Sequence, residues 1–141
     1  MSEENVEVVR KSHDLLNAFM RGEMSSEAAM ETVDPQAEFR WHDQRTMPDQ
    51  PQHLRGVAGV IRWMEDFREA MDEVVVEPRE FIEAPGDRVL VSVRQSGRGR
   101  ESGVPIVTHF LSLCTVRDGK LRKVELFRHR AEALEAAGLS E

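Results

Sequence analysis

The sequence predicts an α+β domain in which a curved antiparallel sheet wraps helices around a pocket open at one end. Three observations predict it. Helical periodicity dominates the chain up to Met71 and strand alternation dominates the rest, the order expected of α+β folds. Asp118-Gly119 sits between two apolar runs, the strongest short-range hairpin signal a sequence carries. Both of those runs are apolar on both faces, so the sheet must be covered on both sides. With 141 residues, the chain suffices for one moderate core but not two; residues 1–141 are read as a single domain.

Composition narrows the function classes. Hydrophobic residues make up 40% and charged residues 32%, enough apolar surface to offset chain entropy. No apolar run approaches the roughly 20 residues that span a bilayer, and the acidic start Met1-Ser2-Glu3-Glu4 does not read as a secretory signal; the expectation is a soluble, cytoplasmic protein with no membrane partner. A net charge of −7 repels phosphate backbones, so no nucleic-acid partner is expected. Cys114 is the single cysteine, which rules out an internal disulfide. The five histidines show no H-x-H or H-E-x-x-H spacing, so no metal is expected.

The elements follow in order. Val6, Val9, Leu16 and Met20 recur at helical steps, and Gly22 ends that helix. Ser25 or Ser26 can cap a short second helix through Val33, closed by Asp34-Pro35 because the residue before proline avoids helical angles. Glu38 to Asp43 alternates, with Phe39, Trp41 and Asp43 on one face and Glu38, Arg40 and His42 on the other. Gln44 to Arg55 reads as a loop or lid. Gly56 to Met71 is helical, with Trp63 and Phe67 four apart on one face. Val74 to Ile82 is a strand whose Pro78 marks an edge or bulge. Arg88 to Gln95, Val104 to Val116 and Leu121 to Arg128 are strands. Ala131 to Ala137 is a short helix capped by Gly138.

The hairpin supplies a register. A two-residue turn pairs Arg117 with Lys120 and Val116 with Leu121. Continued without interruption, the count sets Cys114 opposite Lys123, Ser112 opposite Glu125 and Phe110 opposite Phe127. Ser112 and Glu125 then face each other between two phenylalanines, a polar pair in an aromatic setting of the kind a binding pocket uses. The pocket expected from residues alone is Phe39, Trp41, Asp43, Phe110, Ser112, Glu125 and Phe127. Cys114 lies on the same face, and Trp63 and Phe67 can line it from the long helix. Asp43 beside Trp41 would be pushed toward a useful general base by desolvation. His13 could act as acid or base from the first helix. His53 and Arg55, before the long helix, could meet an anionic ligand at the mouth.

The chain also resembles the SnoaL-like polyketide cyclases of the nuclear transport factor 2-like superfamily. The matching stretches are Glu4-Asn5-Val6, Asp34-Pro35 leading into Glu38-Phe39-Arg40-Trp41, Arg55-Gly56-Val57, Arg117-Asp118-Gly119-Lys120, and Arg130-Ala131-Glu132-Ala133-Leu134 before Gly138. The resemblance implies a cone-shaped α+β barrel, with N-terminal helices packed in a strongly curved antiparallel sheet, and a homodimer formed through the outer sheet face. It implies acid–base chemistry on a small, largely apolar molecule with no cofactor. Asp43 takes the place of the relatives' general base, Ser112 that of a hydrogen-bond donor, and His13 that of a helix-one tyrosine. Two functions follow: a cofactor-independent isomerase, cyclase, dehydratase or hydrolase using Asp43, His13, Ser112 and Glu125, or a non-catalytic ligand-binding or dimer-scaffold protein.

Overall fold

A computed structural model describes residues 2–42 and 53–139. Helix α1 (Ser2–Met20) buries Val9 and Phe19 almost completely, the face its apolar spacing predicts. The chain then turns through Gly22 at φ +78°. The expected second helix is reduced to a 3₁₀ turn at Ala28–Met30, where Ser25 Oγ accepts the Ala28 N–H at 3.1 Å. Val33 does not close a helix but opens strand β1 (Val33–Trp41). Its pairing partner explains the difference: Val33 lies opposite Leu121, and the Leu121 N–H donates to the Thr32 carbonyl at 2.7 Å. A tertiary ladder overrides a weak local helix.

Strand β2 (His53–Arg55), helix α2 (Val57–Ala70) and strands β3 (Met71–Ala84), β4 (Arg88–Gly99), β5 (Pro105–Arg117) and β6 (Lys120–Phe127) follow, then helix α3 (Arg130–Ala136). The glycine-rich stretch after Gln95 is not all loop, since β4 runs on to Gly99 opposite β5. The six strands form one curved, unclosed sheet in the order β2-β1-β6-β5-β4-β3. It is mixed rather than wholly antiparallel: β1 runs parallel to β6. A parallel pair needs a long crossover, and everything between β1 and β6 provides it.

Strand β3 is an edge, and its register slips beside Pro78, as the proline predicts. That edge is held by α1. Asn17 donates through Nδ2 to the Val76 carbonyl and accepts the Val76 N–H on Oδ1, both at 2.8 Å. One amide side chain thereby satisfies both outward backbone groups of an edge residue.

The β5–β6 hairpin decides which residues face inward. The turn has the predicted positive angles, φ +53° at Asp118 and +75° at Gly119, and the first two pairs are as expected. The ladder then slips: Thr115 pairs with Lys123, Cys114 with Val124, Leu113 with Glu125 and Ser112 with Leu126. Arg122 is the extra residue of a β-bulge, and its guanidinium reaches Asp34 at 3.3 Å. Because side chains alternate with period two, this one residue exchanges the faces of everything beyond it. Val124 and Leu126 point inward. Glu125 and Phe127 point outward.

The cause is the spacing of apolar residues. Leu121 and Val124 are three apart and both nearly buried; a regular strand would bring one in and leave the other out. Without the bulge, Lys123 would enter the core in place of Val124, at a cost of several kcal/mol for an unpaired charge.

The outer face of β4, β5 and β6 carries Leu90, Leu111, Leu113 and Phe127, and α3 covers it with Ala133, Leu134 and Ala137. The predicted Gly138 cap is formed: its N–H donates to the Glu135 carbonyl at 3.0 Å and that of Leu139 to the Leu134 carbonyl at 2.8 Å. Arg88 donates to the Ala136 and Ala137 carbonyls, each at 3.0 Å, so α3 is tied to the start of β4.

Candidate functional site

The concave side of the sheet, α1 and α2 enclose a cavity of about 130 Å³. An engineered protein cavity of about 150 Å³ holds benzene, so the scale is that of a single ring. Strand β1 contributes Phe39 and Trp41, β5 contributes Phe110, Ser112 and Cys114, and β6 contributes Leu121, Val124 and Leu126. Trp63 comes from α2 and stands 5.4 Å from Trp41 between ring centroids, with planes tilted by 54°. Phe67 stacks behind Trp63 at 5.6 Å and supports the wall without lining the cavity.

Among the described residues four polar side chains line this apolar space: Ser12, His13, Gln95 and Ser112. Ser12 is occupied, donating to the Val8 carbonyl at 2.8 Å and sharing a hydrogen bond with Thr32 Oγ1 at 2.6 Å. His13 has one bond, from Nδ1 to the Val9 carbonyl at 2.9 Å. Burial holds its pKa below the ordinary histidine value, more than the Val9 carbonyl and Asp14 raise it. Ser112 Oγ and the Gln95 amide have no hydrogen-bond partner among the described residues. Among those residues no side-chain nitrogen or oxygen is both fully buried and unpartnered. Ser112 is only 5% exposed, so its hydroxyl reaches the cavity itself.

Cys114 is deeply buried, which pushes its thiol up to about 12. It is a neutral wall atom at physiological pH rather than a nucleophile.

The remaining sequence candidates lie elsewhere. Glu125 was expected opposite Ser112; the bulge turns it outward, where its Oε1 meets His42 Nε2 at 3.0 Å and Lys123 Nζ at 3.9 Å. Phe127 is turned outward with it, under α3, with the His42 ring stacked on it at 4.4 Å. Arg55 is exposed and paired with Glu38 at 2.7 Å, where His53 also reaches Glu38 at 3.3 Å; none of the three lines the cavity. Asp43 lies outside the described residues, as do residues 44 to 52 of the stretch expected to be a loop or lid; the end of that stretch, His53–Arg55, is strand β2 instead, because it pairs with β1. His42 faces away from the cavity, as alternation predicts.

Gln95 was not singled out from the sequence, although the signal was present: it continues the alternation Val89-Val91-Val93 that β4 turns inward. No three His, Cys, Asp or Glu side chains among the described residues converge on a metal position. Among the described residues no helix is long and apolar enough to cross a membrane.

Comparison with known proteins gives one family and one fold. The model of the SnoaL-like domain matches residues 10–124. No curated protein matches the sequence. Among solved structures, one from Jannaschia sp. CCS1, provisionally named a SnoaL-like polyketide cyclase, aligns with a TM-score of 0.73 at 20% identity over 100% of this chain and 96% of its own. A nuclear transport factor 2-like protein of unknown function from Burkholderia pseudomallei K96243 aligns at 0.72 and 21% identity, over 97% and 98%. TerC, crystallised with polyporic acid, aligns at 0.71 and 22% identity, over 95% and 97%.

Proposed function

Because the chain belongs to the SnoaL-like domain family, we propose that its cavity binds a small, largely apolar molecule and acts on it by acid–base chemistry without a resident cofactor. The observation that carries this is the Ser112 hydroxyl, without a partner among the described residues and open to a ring-sized apolar cavity. A hydroxyl open to the cavity can bond a ligand oxygen or nitrogen there, and one such hydrogen bond contributes about 0.5–1.5 kcal/mol. The solved structure of TerC with polyporic acid supports the idea that this fold accommodates organic ligands.

Asp43 is the acid–base group of this proposal. The alternation that brings Phe39 and Trp41 to the cavity continues to it in sequence. The expected result is that Asp43→Asn abolishes turnover of a substrate identified by mass spectrometry of material co-purified with the protein. Unchanged turnover removes Asp43 from the mechanism.

One observation favours a second reading, binding without conversion: none of the described residues lining the cavity is a carboxylate. A co-purified molecule recovered chemically intact after prolonged incubation supports that reading, and conversion excludes it.

A homodimer through the outer face and a cytoplasmic setting belong to the same proposal. The part of that face beyond α3 presents a row across three strands, Val75 opposite Ser96 opposite Val107, with both valines about half exposed, at 52% and 51%. A monomer mass by light scattering at micromolar concentration excludes the dimer.

A further inference from the structure

His13 differs in kind from the other polar groups of the cavity. Its Nδ1 lies 2.9 Å from the Val9 carbonyl oxygen. A carbonyl oxygen only accepts, so Nδ1 carries the proton. The second ring nitrogen has no hydrogen-bond partner among the described residues. Since no side-chain nitrogen there is both buried and unpartnered, Nε2 reaches open space, and the space the ring borders is the cavity. The ring sits one turn from Val9 on a helix whose Val9 and Phe19 are almost fully buried, which anchors the histidine and keeps the backbone bond in place. Burial also opposes a second proton on the ring. What α1 offers the cavity is therefore an uncharged sp² lone pair.

We infer that His13 selects the ligand by accepting a hydrogen bond, so that the bound molecule presents an O–H or N–H donor to α1 and any acceptor it carries faces Ser112 or Gln95 instead. The inference rests on the proposed small-molecule function and sharpens it. It also narrows the role expected of His13, an acid or base, to that of a hydrogen-bond acceptor. A ligand carbonyl placed against Nε2 would set two acceptors face to face in an apolar space, leaving both unsatisfied. The polar positions are spread along the floor. Ser112 pairs with Val91, and Gln95 lies four residues further along β4, roughly 13 Å at strand rise.

Two measurements on the full chain test this. Ring-nitrogen NMR of protein labelled in its histidines, with His13 assigned from a His13→Phe spectrum, should show protonated Nδ1 and bare Nε2 at pH 7.5. Protonated Nε2, or a doubly protonated ring, overturns the inference; where His13→Phe folds poorly, His13→Gln supplies the assignment. Titration calorimetry with 4-methylphenol, 4-methylanisole and toluene should show the phenol binding about tenfold more tightly than the other two, the size of one neutral hydrogen bond. His13→Phe should erase that preference while toluene still binds. Toluene and 4-methylanisole binding as tightly as the phenol overturns His13 as selector and leaves the small-molecule function standing. Binding of none of the three removes that function, and the inference with it.

Discussion

The two faces of β4–β6 are built from alternate residues of the same strands, yet they reach opposite ends. The outer face is closed where α3 lies on it: Leu90, Leu111, Leu113 and Phe127 meet Ala133, Leu134 and Ala137 of α3, and Glu125 beside them is paired with His42 at 3.0 Å. The inner face stays open around a cavity of about 130 Å³, and its polar side chains Ser112 and Gln95 have no such partner among the described residues. Apolar content does not separate a core from a pocket here. What separates them is whether the covering element fills the space and whether each polar group has been paired. The part of the outer face under α3 stabilises the fold, and the inner face retains bonding capacity that a ligand can use.

The largest expected effect tests the closed face. Leu113→Ala removes a side chain that is fully buried beneath α3 and should cost about 2–5 kcal/mol in urea denaturation, with ligand affinity unchanged in the protein that remains folded. Equal losses of stability and affinity would show that the two faces are not independent.

The next test concerns the open face. Ser112→Ala takes away a hydroxyl that no described residue uses, so stability should change by less than about 1 kcal/mol, while affinity for a ligand bearing an acceptor should fall about tenfold. A loss of stability near that of Leu113→Ala would mean that the hydroxyl supports the fold instead.

Acidification should act through the open face as well. Burial lowers the pKa of His13 in the folded state. Above the ordinary histidine range, both folded and unfolded chains hold it neutral and it contributes nothing. As pH falls through about 6.5, the unfolded chain takes up a proton that the folded chain resists, so stability declines with falling pH. Denaturation midpoints at pH 7.5 and 5.5 should therefore differ less in His13→Phe than in the wild type. The same difference in both would assign the acid sensitivity to other groups.

The smallest expected effect is at the bulge. Deleting Arg122 leaves Leu121, Lys123 and Val124 alternating inward, outward, inward with no extra residue. The variant should fold with the same faces and lose no more than about 1 kcal/mol, the worth of the exposed Arg122–Asp34 pair. Loss of cooperative unfolding would show that the bulge itself shapes the sheet.

These contrasts also mark how far the sequence could be read. The α+β class, the hairpin at Asp118-Gly119, the edge position of the Pro78 strand, the Gly138 cap, and the sharing of one face by Phe39 and Trp41 and of one face by Phe110, Ser112 and Cys114 all follow from local periodicity and turn chemistry; which face turns inward does not. Each depends on neighbours within a few residues, and that information the sequence by itself determined. The parallel β1–β6 pairing, the outward turn of Glu125 and Phe127 and the pairing of Glu125 with His42 were decided only by tertiary structure. A register count carries every error forward, and one extra residue reverses every later side chain. The three-residue step from Leu121 to Val124 was the visible trace of that bulge, and burying both residues against α1 and the sheet, rather than turn geometry, determined which way it resolved.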